Sequence, residues 1–169
     1  MGAKNVQFIE QDLLDPAFAD EHEGQFDVVS CLEVVEHFKD PDPLIASLSK
    51  VLEPDGKLVL STPYRYHFAS RGEFGVFEQP GGHEVWGYEA DDLAQMMEPH
   101  GLHIEQEMYF GGIGDHYNQE ISRRFTRRYP LAALLATSVL YPWAKIANTY
   151  GQMHDFPPMA LGVVARKQT

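Results

Sequence analysis

Glu33, Glu36 and His37 stand at i, i+3 and i+4, directly after the apolar run Phe26, Val28, Val29 and Cys31. If a helical turn begins there, all three side chains project from one face. A second imidazole, His83, follows the paired glycines Gly81 and Gly82. Two carboxylates and two imidazoles form a donor set for a divalent cation, with room for substrate oxygens. The same groups also suit acid–base work, with His37 as the first choice of proton acceptor and His83 as the second. Plainer readings stand beside these: clustered carboxylates line solvated helix faces, His37 packs in some settings, and a histidine after glycines caps turns. Cys31 has no partner base at nucleophilic spacing and is expected in the strand core.

Such residues need elements to hold them. The run at Phe26 has the short, β-branched character of a strand buried on both faces of a parallel sheet. Asp40-Pro41-Asp42-Pro43 opens a helix, and Leu44, Ile45, Leu48, Val51 and Leu52 give it one apolar stripe. Pro54-Asp55-Gly56 is a turn, Lys57 to Thr62 the next strand, and Pro63 its stop. Strand, helix, strand at this length implies parallel strands with a right-handed crossover. Residues 64–87 make a long connection containing Tyr64, Tyr66 and Trp86, expected to hang over the carboxyl ends of the strands as a lid; core packing is an equal reading for Trp86. Glu89 to His100 is a helix stopped by Gly101, Leu102 to Phe110 an edge strand, and Pro158 to Lys167 a final strand. Upstream, Asn5 to Glu10 reads as a strand. Pro16 to Glu21 reads as a short helix that either Asp12 or Asp15 caps.

Phe26 to His37, with Asp40-Pro41, Leu52-Glu53-Pro54-Asp55-Gly56 and Leu58 to Pro63 in this order, resembles the later half of a class I S-adenosylmethionine-dependent methyltransferase. The Glu-x-x-Glu-His pattern is most similar to the ubiquinone-biosynthesis and small-RNA O-methyltransferases. The resemblance implies a partial Rossmann-like α/β sheet, mostly parallel with its last strand antiparallel, and helices on both faces. It implies S-adenosylmethionine as cofactor, with Asp12 near the adenine and Leu13, Cys31, Leu32 and Glu33 beside it. It also implies Mg²⁺ or another divalent cation held by Glu33, Glu36, His37 and His83. The acceptor implied is a hydroxyl of a small molecule or a sugar. Members of that family begin with a strand, a glycine-rich loop and a helix, and no Gly-x-Gly follows a strand near this N-terminus. Gly111-Gly112-x-Gly114 comes late, where a turn is the better reading. The expectation is therefore one truncated methyltransferase-like domain over 1–169, with a helical insertion at about 115–154. The rival is a non-catalytic scaffold that binds a partner supplying the cofactor half.

The chain has 169 residues, 44% hydrophobic and 22% charged, the composition of one globular domain. Its net charge of −12 provides no general field for nucleic acid or anionic lipid. One cysteine excludes an intrachain disulfide, and the opening residues show no apolar signal run or myristoylation pattern, so a cytoplasmic setting is expected. Arg123, Arg124, Arg127 and Arg128 precede an apolar run from Leu131 to Tyr141, between Pro130 and Pro142. That run is too short to span a bilayer, which takes about 20 residues. It is expected to be a helix packed on the domain or on a second subunit, with peripheral membrane contact through 123–147 as the alternative. An unpaired strand at Asn5 would invite self-association.

Overall fold

The computed structural model describes residues 6–65, 83–118, 129–153 and 156–168. Tyr66 and the four arginines of 123–128 lie outside them. Four strands form one sheet in the order β1-β2-β4-β3. These are β1 (Phe26–Leu32), β2 (Leu52–Pro63), β3 (Leu102–Phe110) and β4 (Ala160–Lys167). β1 and β2 are parallel, while β4 lies antiparallel between β2 and β3. The crossover from β1 to β2 is α2 (Asp42–Val51), and α3 (Ala90–Met97) leads into β3. This mostly parallel α/β sheet with an antiparallel last strand is the fold expected.

The core lies between one sheet face and the two helices. Register pairs Leu58 with Ala165 and Leu60 with Val163, and paired residues share a face. Against them pack Leu44, Ile45 and Leu48 of α2 with Leu93 and Met97 of α3, all buried. Each such side chain contributes about 1.5–3 kcal/mol through removal from water. Helix α3 is started by a reciprocal capping box between Glu89 and Asp92 and ends in a 3₁₀ turn stopped by Gly101 at φ 72°. Helix α1 (Pro16–Glu21) has Asp15 as its cap, the carboxylate accepting from the Ala17 N–H at 2.9 Å. Lys50 of α2 pairs with Asp20 and holds α1 in place.

Three expectations are corrected. Residues 6–10 form no strand, and Phe8 is 94% exposed. A strand exists only through pairing, and β1 has no neighbour on its outer side among the described residues. For the same reason β1 is not buried on both faces: Phe26, Val28 and Leu32 are exposed and only Cys31 is buried. The Pro54-Asp55-Gly56 turn does not precede β2 but is absorbed within it. Phe26 pairs with Leu52 and Val28 with Lys57, and Asp55 takes a left-handed φ of 64° where the extra residues loop out.

The apolar run after Pro130 belongs to one helix, α4 (Pro130–Met153), with Pro142 inside it. Its later half packs on residues 111–118. Asn148 Oδ1 accepts from the N–H groups of Gly114 and Asp115, while its amide donates to the Asp115 carboxylate at 2.6 Å. Gly114 permits this approach, since a Cβ there would meet the Ala144 carbonyl oxygen at 2.0 Å. The glycine cluster thus serves helix packing. Leu131, Leu134, Leu135, Val139 and Trp143 remain exposed. No helix among the described residues is long and apolar enough to cross a membrane.

Candidate active site

Three structural devices gather the site at the carboxyl ends of β1 and β2. First, the chain leaves β1 through Glu33 in a left-handed conformation, φ 54°, which is uncommon for a side chain larger than glycine. The Glu33 N–H donates to the Ser61 carbonyl at 3.0 Å, continuing the ladder by one residue. Second, Val35–His37 forms a 3₁₀ turn rather than an α-turn. Third, the N–H groups of Glu84 and Val85 both donate to the Glu36 carbonyl, at 2.9 and 3.2 Å. That pair of bonds carries His83 to the turn. The following residues are tied to β2 as well, with Tyr88 N–H donating to Pro63 and Arg65 N–H to Tyr88.

The outcome is a trio of Glu36, His37 and His83, whose ligand-type atoms all lie within 4.8 Å of one another. The two imidazoles meet edge to face, with centroids 4.7 Å apart. Glu36 is fully buried, and neither carboxylate oxygen has a hydrogen-bond partner among the described residues. His37 Nε2 stands 3.9 Å from Glu36 Oε1. Burial pushes the Glu36 pKa above the usual carboxylate range and the charge of Glu33 adds to this, while its own backbone N–H and both histidines pull the other way. Burial, reinforced by Glu36, also raises Tyr88 and lifts the Cys31 thiol to about 11.

Glu33 does not share a face with Glu36 and His37, contrary to the helical spacing. Its left-handed backbone precedes the turn, and its Oε1 accepts from the Ser61 hydroxyl at 2.8 Å. Leu32 is exposed beside it, whereas Cys31 is buried in the core cluster. Asp12 lies on an exposed loop, where Oδ1 accepts from the Leu14 N–H; Leu13 is also exposed. Tyr64 is half-buried and meets Tyr109 edge to face at 5.7 Å. Trp86 is half-buried. Ser61 and Tyr88 were not singled out from sequence. The only local signal for Ser61 was its place near the end of a strand; its pairing with Leu32 is a matter of register.

This sheet order, with ligand-type groups at the carboxyl ends of parallel strands, defines a Rossmann-like methyltransferase fold. A methyltransferase-like crystal structure from Bacillus halodurans superposes with a TM-score of 0.60 at 18% identity, covering 99% of this chain and 74% of that one. An S-adenosylmethionine-dependent methyltransferase from Archaeoglobus fulgidus does so with 0.57 at 14% identity, covering 94% and 66%. The methyltransferase domain family model matches residues 2–107, and the chain belongs to that class I S-adenosylmethionine-dependent family. It is 33% identical over 122 residues to a ubiquinone biosynthesis O-methyltransferase of Saccharophagus degradans, spanning 67% of this chain and 51% of that protein. Against the Psychrobacter cryohalolentis enzyme of the same name it is 35% identical over 122 residues, spanning 69% and 44%. The chain thus spans about half the length of these curated relatives.

Proposed function

We propose that this chain carries the acceptor side of an S-adenosylmethionine-dependent O-methyltransferase, acting on a hydroxyl of a small molecule or sugar. The observation that supports it most is the fully buried, unpartnered carboxylate of Glu36 set against His37 and His83. On the cofactor side, exposed Leu13 and Leu32 offer apolar contact, and the exposed Asp12 and Glu33 offer acceptors for hydroxyl or amino groups. Cys31 would contribute backbone rather than thiol, since its side chain is buried. The sulfonium cofactor supplies, when bound, a methyl carbon already activated for transfer. The protein's task is then alignment and proton removal. His37, exposed at the edge of the trio, accepts the hydroxyl proton at a ring nitrogen, and the nearby Glu36 carboxylate stabilises the resulting imidazolium. Tyr64 and Trp86 wall the acceptor and exclude water.

Glu36, His37 and His83 also fit a divalent cation. Their donor atoms converge, and the buried Glu36 carboxylate has no other partner among the described residues. A cation there would act as a Lewis acid toward an acceptor hydroxyl. His37 is then a ligand, and with no cation it is the base. A cytoplasmic setting suits the lone thiol. The decisive experiment is calorimetric titration with S-adenosylmethionine, followed by methyl transfer to a catechol or ribose hydroxyl with and without chelator. Heat and transfer are expected. No heat at millimolar cofactor overturns the reading and leaves a non-catalytic scaffold.

A further inference from the structure

We propose that the exposed apolar face of α4 is a homodimer seam, in which two copies of this chain pack their α4 helices antiparallel across a two-fold axis. Leu131, Leu134, Leu135, Val139, Trp143 and Ile146 fall at helical spacing on one side of the helix, and each is between 61% and 76% exposed. The other side meets the domain: Ala144 and Asn148 lie against Gly112 and Gly114, and Gly151 against Ile113 and Phe156. Six such side chains expose on the order of 800 Å², above the roughly 300–600 Å² of the largest apolar patch on an ordinary monomer. That area equals the about 800 Å² that each partner contributes to an interface of standard size.

Charge decides the occupant. The chain carries 25 acidic residues and a net charge of −12, so two copies repel wherever those carboxylates face each other. From Pro130 to Met153 there is no Asp or Glu, and the one charged side chain, Lys145, holds its ammonium over the ring of Tyr141 in the same helix. Two like-charged chains can therefore meet on this face without opposing carboxylates. The same net charge disfavours an anionic lipid surface, although Arg123, Arg124, Arg127 and Arg128 precede α4 in sequence and make that surface the rival occupant. Direction follows from where the helix is fixed. Ala144 and Asn148 lie in its later half, so a parallel pair would bring two acidic domains together at one end. An antiparallel pair moves them toward opposite ends of a 24-residue helix, about 36 Å long against a screening length of about 8 Å, and opposes the helix dipoles. Ser138, exposed near the middle of the face, then stands opposite its own equivalent, whereas Leu131 meets the far half of the other helix.

The test is sedimentation velocity of the chain, with disulfide trapping as a second readout. A species of twice the 19.1 kDa chain mass is expected at about 10 μM and physiological salt. Leu135→Asp should weaken it at least about tenfold and leave the far-UV circular dichroism spectrum unchanged. Under mild oxidation Ser138→Cys should cross-link to its own equivalent, since only Cα atoms within about 7 Å can be bridged, while Leu131→Cys should not. Cys31 is buried, so the unsubstituted chain under the same oxidant is the blank. Trapping reads the seam without removing an apolar contact, which separates loss of the interface from loss of the fold. A chain that stays at 19.1 kDa, or a dimer indifferent to Leu135→Asp, overturns the proposal. Leu131→Cys trapped as readily as Ser138→Cys makes the helices parallel and overturns the antiparallel seam. A monomer that pellets with phosphatidylglycerol vesicles overturns it in favour of the lipid surface.

Discussion

His37 and His83 meet edge to face, their ring planes at 85° and their centroids 4.7 Å apart, although a long connection separates them in sequence. The contact follows from the Glu36 carbonyl, which accepts from two successive N–H groups just after His83. Main-chain bonding therefore fixes the spacing of the two imidazoles, so either side chain can be changed without dismantling the turn.

His37→Gln in the intact protein should lower kcat by about 10²–10⁴ with little change in acceptor KM, the signature of a lost proton acceptor. A rise in KM with kcat unchanged would assign His37 to binding instead. Steady-state kinetics on both variants, His37→Gln and His83→Gln, separates their roles.

Cys31 should be inert toward thiol reagents in the native protein at neutral pH. Its folded-state pKa of about 11 exceeds the ordinary 9.0 because burial disfavours the thiolate. The folded state therefore holds the proton more tightly. Stability is unaffected below the ordinary value and falls as pH rises from 9.0 to about 11. The loss is on the order of 2 kcal/mol, and Cys31→Ala should remove that alkaline decline in denaturant titrations.

Gly87→Ala should unfold the rim of the site. Gly87 has φ 145°, and a Cβ there would stand 2.2 Å from the Pro63 carbonyl oxygen, which accepts from Tyr88. A loss of about 2–4 kcal/mol is expected, lowering Tm by roughly 10 °C. Gly24, also at positive φ but with open space around it, is the control and should cost only about 1 kcal/mol on replacement by alanine.

The exposed stripe of α4 should drive association. Leu131, Leu135, Val139 and Trp143 recur every fourth residue and are all exposed. Light scattering should report a mass above the 19.1 kDa of one chain, returning to that value in a Leu135→Asp, Val139→Asp double variant. A monomer that pellets with anionic vesicles at low salt would make a lipid surface the partner instead.

The sequence alone determined what depends on short windows of chain. Leu102 to Phe110 is a strand and the segment from Glu89 is helical until Gly101 stops it, because periodicity and left-handed stops are local. The α/β class was legible in the same way. Only the tertiary structure decided which groups meet. Spacing put Glu33 on one face with Glu36 and His37, but a positive φ and the β1–β2 register set Glu33 against Ser61, while His83, grouped with them from the sequence, converges on Glu36 and His37. Likewise an apolar run such as Phe26 to Cys31 reads the same at the centre of a sheet or at its edge. Burial is a property of neighbours, and pairing is set by register between distant segments, which no local pattern encodes.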